Sequence, residues 1–239
     1  MPIYFKTNDI VVPGDIIAEG NYTIEQGAYR LGRKIIAEYL GIVYIRENKI
    51  RVVPLEGSYY PKVGDKVIGK IVDYSIVSWS VDINAPYYAR LDANDYLSKP
   101  IDPSKVDIRS ILDVGDVVYA EIIVADRASN VQLAANKRGL GKLEGGILIH
   151  VTPKKIPRIL GKNRSMINMI KEITNSKIIA GNNGYIWIKA KDRYIENIVV
   201  EAIKKIERES HVPGLTERIR DFIQKQMNLK GGKNESKKE

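Results

Sequence analysis

The apolar residues of this chain change their spacing once, close to residue 145, and no single secondary-structure class satisfies both sides of that change. Before it, short β-branched runs alternate with glycine-bearing turns, the period of strands. After it, apolar residues recur at intervals of three and four, the period of amphipathic helices. Gly14-Asp15, Gly64-Asp65 and Gly115-Asp116 each read as a turn feeding a β-branched run, which marks the front of the chain as mainly β. Their intervals share no short fixed period, so the pattern is strand entry and not a solenoid repeat.

Residues 1–62 predict strands at 16–18, 34–39, 42–45 and 50–54, broken by turn signals at Gly20, Gly27, Gly32 and Gly41. A small β domain without a substantial helix follows, with a linker over 54–61. Residues 63–145 predict five more strands, at 66–74, 79–83, 87–91, 117–125 and 131–134. A long connection through Lys99-Pro100-Ile101-Asp102-Pro103 separates the third from the fourth. Five strands with one long connection suit a closed Greek-key barrel of the OB type. Alternation puts Trp79, Val81 and Ile83 on the core face and Ser80, Asp82 and Asn84 outside. Ligands of such barrels lie on strands two and three and on the loops joining one to two and four to five. The candidate RNA contacts there are therefore Lys70, Tyr88, Arg90 and Arg127.

Residues 146–210 read as β-α-α-β-β-α. A strand at 146–151 precedes a short helix at 153–160, and Met166, Met169, Ile170 and Ile173 form a helical stripe. A hairpin of 177–180 and 185–190 turns at Asn182-Asn183-Gly184. Ile195, Ile198, Val199, Ala202, Ile203 and Ile206 mark a longer helix. Residues 211–239 add one more helix, carried by Leu215, Ile219, Phe222 and Ile223, and a charged tail from 230 that is expected to be disordered. Gly161, Lys162, Asn163 and Arg164 join the two first helices, as the phosphate-clamping loop does in a KH domain. That loop is ordinarily Gly-x-x-Gly. Arg164 in the second glycine's place either adds a charge-assisted phosphate contact or blocks close approach.

Net charge is +9. Residues 1–62 carry 8 basic and 7 acidic side chains, 63–150 carry 10 and 12, and 151–239 carry 20 and 10. The excess lies in the last third, which points to an anionic partner there, nucleic acid before membrane. The absence of cysteine excludes disulfides and Cys-based zinc sites. The two histidines, His150 and His211, are too few for a His-rich metal site. Gly-x-x-x-x-Gly-Lys-Ser/Thr, His-Glu-x-x-His and Gly-x-Ser-x-Gly are all missing. Asp92 with Asp95, and Asp102 with Asp107, flank loops where carboxylates cap turns. The expectation is a chain with no catalytic residue, no metal and no cofactor. With neither an apolar run of ~18 residues nor a signal-peptide layout, a soluble cytoplasmic protein is expected.

Four motifs in order carry a resemblance over nearly the whole chain. They are Val12-Pro13-Gly14-Asp15; Pro54-Leu55-x-Gly57-x-Tyr59-x-Pro61-x-Val63-Gly64-Asp65; Trp79-x-Val81-Asp82-Ile83-Asn84; and Gly181-Asn182-Asn183-Gly184-x-Ile186-Trp187-Ile188. The sequence resembles the KH-containing cap subunits of the archaeal exosome, the ribosomal-RNA-processing type. The resemblance implies an N-terminal β domain, a central barrel named for ribosomal protein S-one, and a type I KH domain. It also implies three cap subunits on a hexameric ring of phosphorolytic nuclease subunits, with the N-terminal domain docked on the ring. Single-stranded RNA would then pass between the barrels to active sites in other chains. The sister cap subunit ends in a zinc ribbon, which a cysteine-free chain lacks. The competing reading is a free-standing regulator of transcription elongation or termination, a family that usually carries two KH units after its barrel. A phosphorolytic enzyme with both modules has them in the opposite order, behind large catalytic domains.

Overall fold

The computed structural model describes residues 2–54, 59–97, 107–125, 131–209 and 214–235. The chain forms two compact units, Met1–Gly57 and Ser58–Glu239. Seven strands build the first: β1 (Ile10–Val11), β2 (Ile16–Glu19), β3 (Thr23–Gln26), β4 (Ala28–Leu31), β5 (Lys34–Ala37), β6 (Gly41–Arg46) and β7 (Lys49–Pro54). They make a sheet β1-β6-β7-β3, parallel only at β3–β7, and a sheet β2-β5-β4. Val11, Ile17, Ile35, Val43, Ile50 and Val52 fill the core. Of the strands, β1, β3 and β4 are absent from the sequence reading. β3 and β4 bury almost nothing, so they lack the alternation that betrays a strand, and β3 is defined by pairing with a distant segment. The linker expected at 54–61 lies partly outside the described residues.

The second unit opens with the barrel. Its strands are β8 (Lys66–Tyr74), β9 (Ser78–Asp82), β10 (Ala89–Asp92), β11 (Val117–Ala125) and β12 (Val131–Ala134), in the order β12-β10-β9-β8-β11, and β12 pairs with β11 to close the ring. A short β13 (Gly141–Leu143) extends the β11 edge. Between β10 and β11 lie a one-turn helix α1 (Ala93–Leu97) and a 3-10 turn at Ile108–Ser110. Trp79, Val81 and Ile83 are fully buried inside, as alternation requires. The Trp79 indole N–H donates to the Leu112 carbonyl at 2.8 Å, and the ring meets Tyr96 edge-on. A buried indole needs such an acceptor, and this one fixes Trp79 as core rather than as a base-stacking surface.

The rest of the unit is the β-α-α-β-β-α module: β14 (Ile147–His150), α2 (Ile156–Leu160), α3 (Ser165–Thr174), β15 (Lys177–Ala180), β16 (Tyr185–Lys189) and α4 (Arg193–Arg208). Its antiparallel sheet runs β14-β16-β15, so the first and third strands are neighbours. Asp192 caps α4 by accepting from the Ile195 amide at 3.0 Å. α4 buries Ile195, Ile198, Val199, Ala202, Ile203 and Ile206 against the sheet and α3. The final helix, α5 (Leu215–Glu235), adds Leu215, Ile219 and Ile223 to the same core. The Lys205 ammonium sits 5.6 Å from the Phe222 ring centroid, and Arg218 pairs with Glu209 at 2.8 Å. The tail expected from residue 230 is therefore helical to Glu235; 236–239 lie outside the described residues. No helix among the described residues is long and apolar enough to cross a membrane.

Candidate nucleic-acid interface

The loop between α2 and α3 is tight. Gly161 ends α2 at φ 75°, and a Cβ there would lie 2.8 Å from the Met166 amide and Cβ, so only glycine fits. Lys162–Arg164 close as a single 3-10 turn, with Asn163 at φ 52° and Arg164 at φ 62°. Arg164 thus keeps the left-handed backbone that a second glycine would adopt at lower cost, and its exposed side chain leaves at the start of α3.

Arg164 reaches a cavity of about 430 Å³ between this module and the barrel. The module contributes Leu160, Ile178, Lys171 and Arg164; the barrel contributes Lys66 from β8 and Tyr119 from β11. Burial and the nearby Arg164 charge hold the Lys171 ammonium below the usual lysine range. Burial pushes the Tyr119 hydroxyl up, and the Arg164 charge opposes that rise. Three cations therefore converge on one space, and none of the described side chains lining it is a carboxylate. Among the described residues no ion pair engages Lys66, Arg164 or Lys171.

The barrel is held there by the hairpin turn between β15 and β16. Asn183 is fully buried. Its Oδ1 accepts from the Ile68 amide at 3.2 Å, while its Nδ2 donates to the Ile68 carbonyl at 2.6 Å and the Ile83 carbonyl at 2.8 Å. One side-chain amide thus stands in for a strand beside β8, past the point where β9 ends, and satisfies three buried backbone groups. Asn182 adds its amide to the Lys66 carbonyl at 2.8 Å and its Nδ2 to the Asp65 carboxylate at 2.7 Å. Asn84 Nδ2 reaches the Asn183 carbonyl at 2.9 Å and lies 3.0 Å from His150 Nε2. Burial and Asp82 push the Tyr185 hydroxyl up across the same boundary. A Cβ on Gly181 would lie 2.7 Å from the Ile68 amide, so the close approach requires glycine.

The expected barrel contacts lie beyond this clamp. Lys66, Ile68 and Lys70 follow one another on the outer face of β8, and Ile68 is the residue Asn183 covers. Lys70 is exposed beside Asp82, and Arg90 beside Ser80. The Arg90 guanidinium is shared with Asp92, at 2.6 Å. Tyr88 is 65% exposed. Arg127 lies outside the described residues. Lys70, Tyr88 and Arg90 are not among the residues that line the cavity, whereas Lys66, Tyr119 and Lys171 line it together with Arg164 of the loop. Sequence reading missed those three because they meet only when the barrel packs on the module. The carboxylates have structural partners: Gln132 Nε2 donates to Asp92 at 3.1 Å and Asp95 at 2.9 Å, and Asp107 caps its turn through the Arg109 amide at 2.9 Å. Asp102 and His211 lie outside the described residues.

Family models match in the same order as these modules. The exosome RNA binding protein RRP4 N-terminal domain matches residues 8–56, the "RRP4, S1 domain" model 58–123, and the KH domain model 146–194. The exosome complex component Rrp4 of Thermococcus kodakarensis is 44% identical over 223 residues, 92% of this chain and 87% of that protein. The Sulfurisphaera tokodaii protein of the same name is 43% identical over 94% of this chain and 92% of its own length. A crystal structure described as an exosome complex RNA-binding protein superposes with a TM-score of 0.69 at 37% identity, covering 73% of this chain and 99% of that one.

Proposed function

We infer that this chain, which belongs to the Rrp4 family of exosome components, binds single-stranded RNA and delivers it to catalytic subunits without cleaving it. In this reading three copies cap a ring of phosphorolytic nuclease subunits, and RNA passes between their barrels for 3′-to-5′ degradation or processing. The division of labour follows residues 1–62 for ring docking, 63–145 for the barrel, 146–210 for the KH domain, and 211–239 for the terminal helix and its charged end. The observation that carries RNA binding is the convergence of Lys66, Arg164 and Lys171, with no lining carboxylate among the described residues, where the Gly161 loop meets the barrel. Phosphate contacts from such groups supply affinity without sequence selection.

Docking by the first unit is supported by its surface. Ile3, Tyr4, Ile10 and Leu31 are between 48% and 62% exposed, an apolar allotment that suits a protein partner better than RNA. The non-catalytic reading is supported by the bonds of Asp92 and Asp95 to Gln132, of Asp107 to its own turn, and of His150 with Asn84. The place of action is the cytoplasm.

The decisive experiment is RNA binding by the purified protein over a salt series. A log–log slope near −0.7 per phosphate contacted is expected for single strands; binding indifferent to salt, or none, would overturn the reading. The same protein should release no nucleotides from RNA, with or without phosphate. Removal of residues 1–62 should abolish co-purification with ring subunits while RNA binding persists.

A further inference from the structure

We propose that the partly open cavity between the barrel and the KH groove is a site for one nucleoside phosphate. Lys66, Arg164 and Lys171 face its phosphate, and Tyr119 faces its base or sugar. The proposal rests on the RNA-binding reading above and narrows it. A KH loop ordinarily clamps about four nucleotides along an open groove. Here the barrel stands across that groove, and Asn183 fixes it there through three hydrogen bonds. What remains is about 430 Å³, near the lower end of the ~300–1,000 Å³ common for small-ligand pockets. That space is large enough for one nucleotide.

The charges argue for an anion in particular. Lys171 and Arg164 line the same cavity, where burial first and the arginine charge second disfavour protonated lysine. Like charges held together at a partly buried site are relieved by an anion placed between them. Arg164 supplies an independent geometric observation, because it is kept at φ 62° where glycine would sit without strain. The strained residue is the one whose guanidinium lines the cavity. The apolar wall of Leu160 and Ile178 and the ring of Tyr119 give the uncharged part of a nucleotide a surface to rest on.

The ligand could be a nucleotide within an RNA strand or a free one, and the test separates them. Adenosine and uridine 5′-monophosphates, and a short single-stranded oligonucleotide, are titrated into the full-length protein by calorimetry, with thermal melting as a check of folding. One mononucleotide should bind per chain, raise the melting temperature, and compete with the oligonucleotide if the occupant belongs to RNA. Arg164→Gly, which restores Gly-x-x-Gly and relaxes the backbone, should melt no lower than wild type yet weaken mononucleotide binding at least tenfold. Lys171→Met, which keeps the packed stem, should do the same. Tighter binding by Arg164→Gly would mean that the arginine only obstructs, and would overturn the proposal. Oligonucleotide binding without mononucleotide binding would overturn it too, while leaving the RNA-binding reading intact. Mononucleotide binding without oligonucleotide binding would support the site, identify a free nucleotide as its occupant, and remove the RNA-binding reading instead.

Discussion

Asn183 does the work of a strand with a single side chain. Its amide both accepts and donates, so it can satisfy the Ile68 amide and carbonyl together, and the Ile83 carbonyl besides. Truncation to alanine leaves three buried backbone groups without partners. At ~1–3 kcal/mol for each unsatisfied group, Asn183→Ala should destabilise the second unit by on the order of 3 kcal/mol or more, measured as a fall in urea midpoint at unchanged slope. Tyr59 offers a pH-dependent counterpart. Its hydroxyl donates to Asp65 at 2.6 Å, and burial, reinforced by that carboxylate, pushes its pKa well above the usual tyrosine range. A raised folded-state pKa gives stability that is fully present below the unfolded value of ~10 and lost as pH rises beyond it. Urea midpoints at about pH 8 and pH 11 should therefore separate, and Tyr59→Phe should narrow the gap.

At the scale of elements, α5 is an addition to the β-α-α-β-β-α module that the module's core has absorbed. Leu215, Ile219 and Ile223 are buried with residues of α3 and α4, and the Tyr194 hydroxyl reaches the Gln226 carbonyl at 3.1 Å. Ile219→Ala should cost ~2–5 kcal/mol, the range for emptying a full aliphatic site in a packed core, as read by thermal or urea unfolding. The barrel's outer face invites a binding measurement instead. Tyr88 stands in solvent, so Tyr88→Ala should leave stability almost unchanged. If a base stacks there, RNA affinity in fluorescence anisotropy should fall by ~1–3 kcal/mol. Elements were legible in the sequence in proportion to how one-sided their burial is. β11 alternates between core and outside over most of its length, and β8, β11 and β12 coincide with their expected limits. β3 and β4 bury no continuous face, so nothing local announced them.

For the molecule as a whole, the barrel and the KH module share one body. The chain's two tryptophans report on its halves separately, Trp79 from the barrel core and Trp187 from the KH sheet, where its indole donates to the Gly145 carbonyl at 2.7 Å. Single-tryptophan variants Trp79→Phe and Trp187→Phe should therefore unfold at coincident urea midpoints. Asn183→Ala introduced into each should pull the two midpoints apart, because it removes the three buried bonds among those that join the halves. Coincident midpoints in both backgrounds would mean that packing and the remaining bonds of Asn182 and Asn84 are enough to couple the halves.

The sequence by itself determined the modules and their order. Hydrophobic period, turn residues and charge are properties of neighbours along the chain, and they specify a β domain, a five-stranded barrel and a KH module with a basic end. The Gly161 loop was legible for the same reason. Tertiary structure alone decided what that loop faces. Lys66, Tyr119, Arg164 and Lys171 are dispersed across more than a hundred residues and share a cavity because Asn183 docks the hairpin turn on β8. In sequence, Asn182-Asn183-Gly184 states only that the chain reverses. The partners of the buried amide belong to another module, and no local pattern specifies a hydrogen bond that exists only after two surfaces have met.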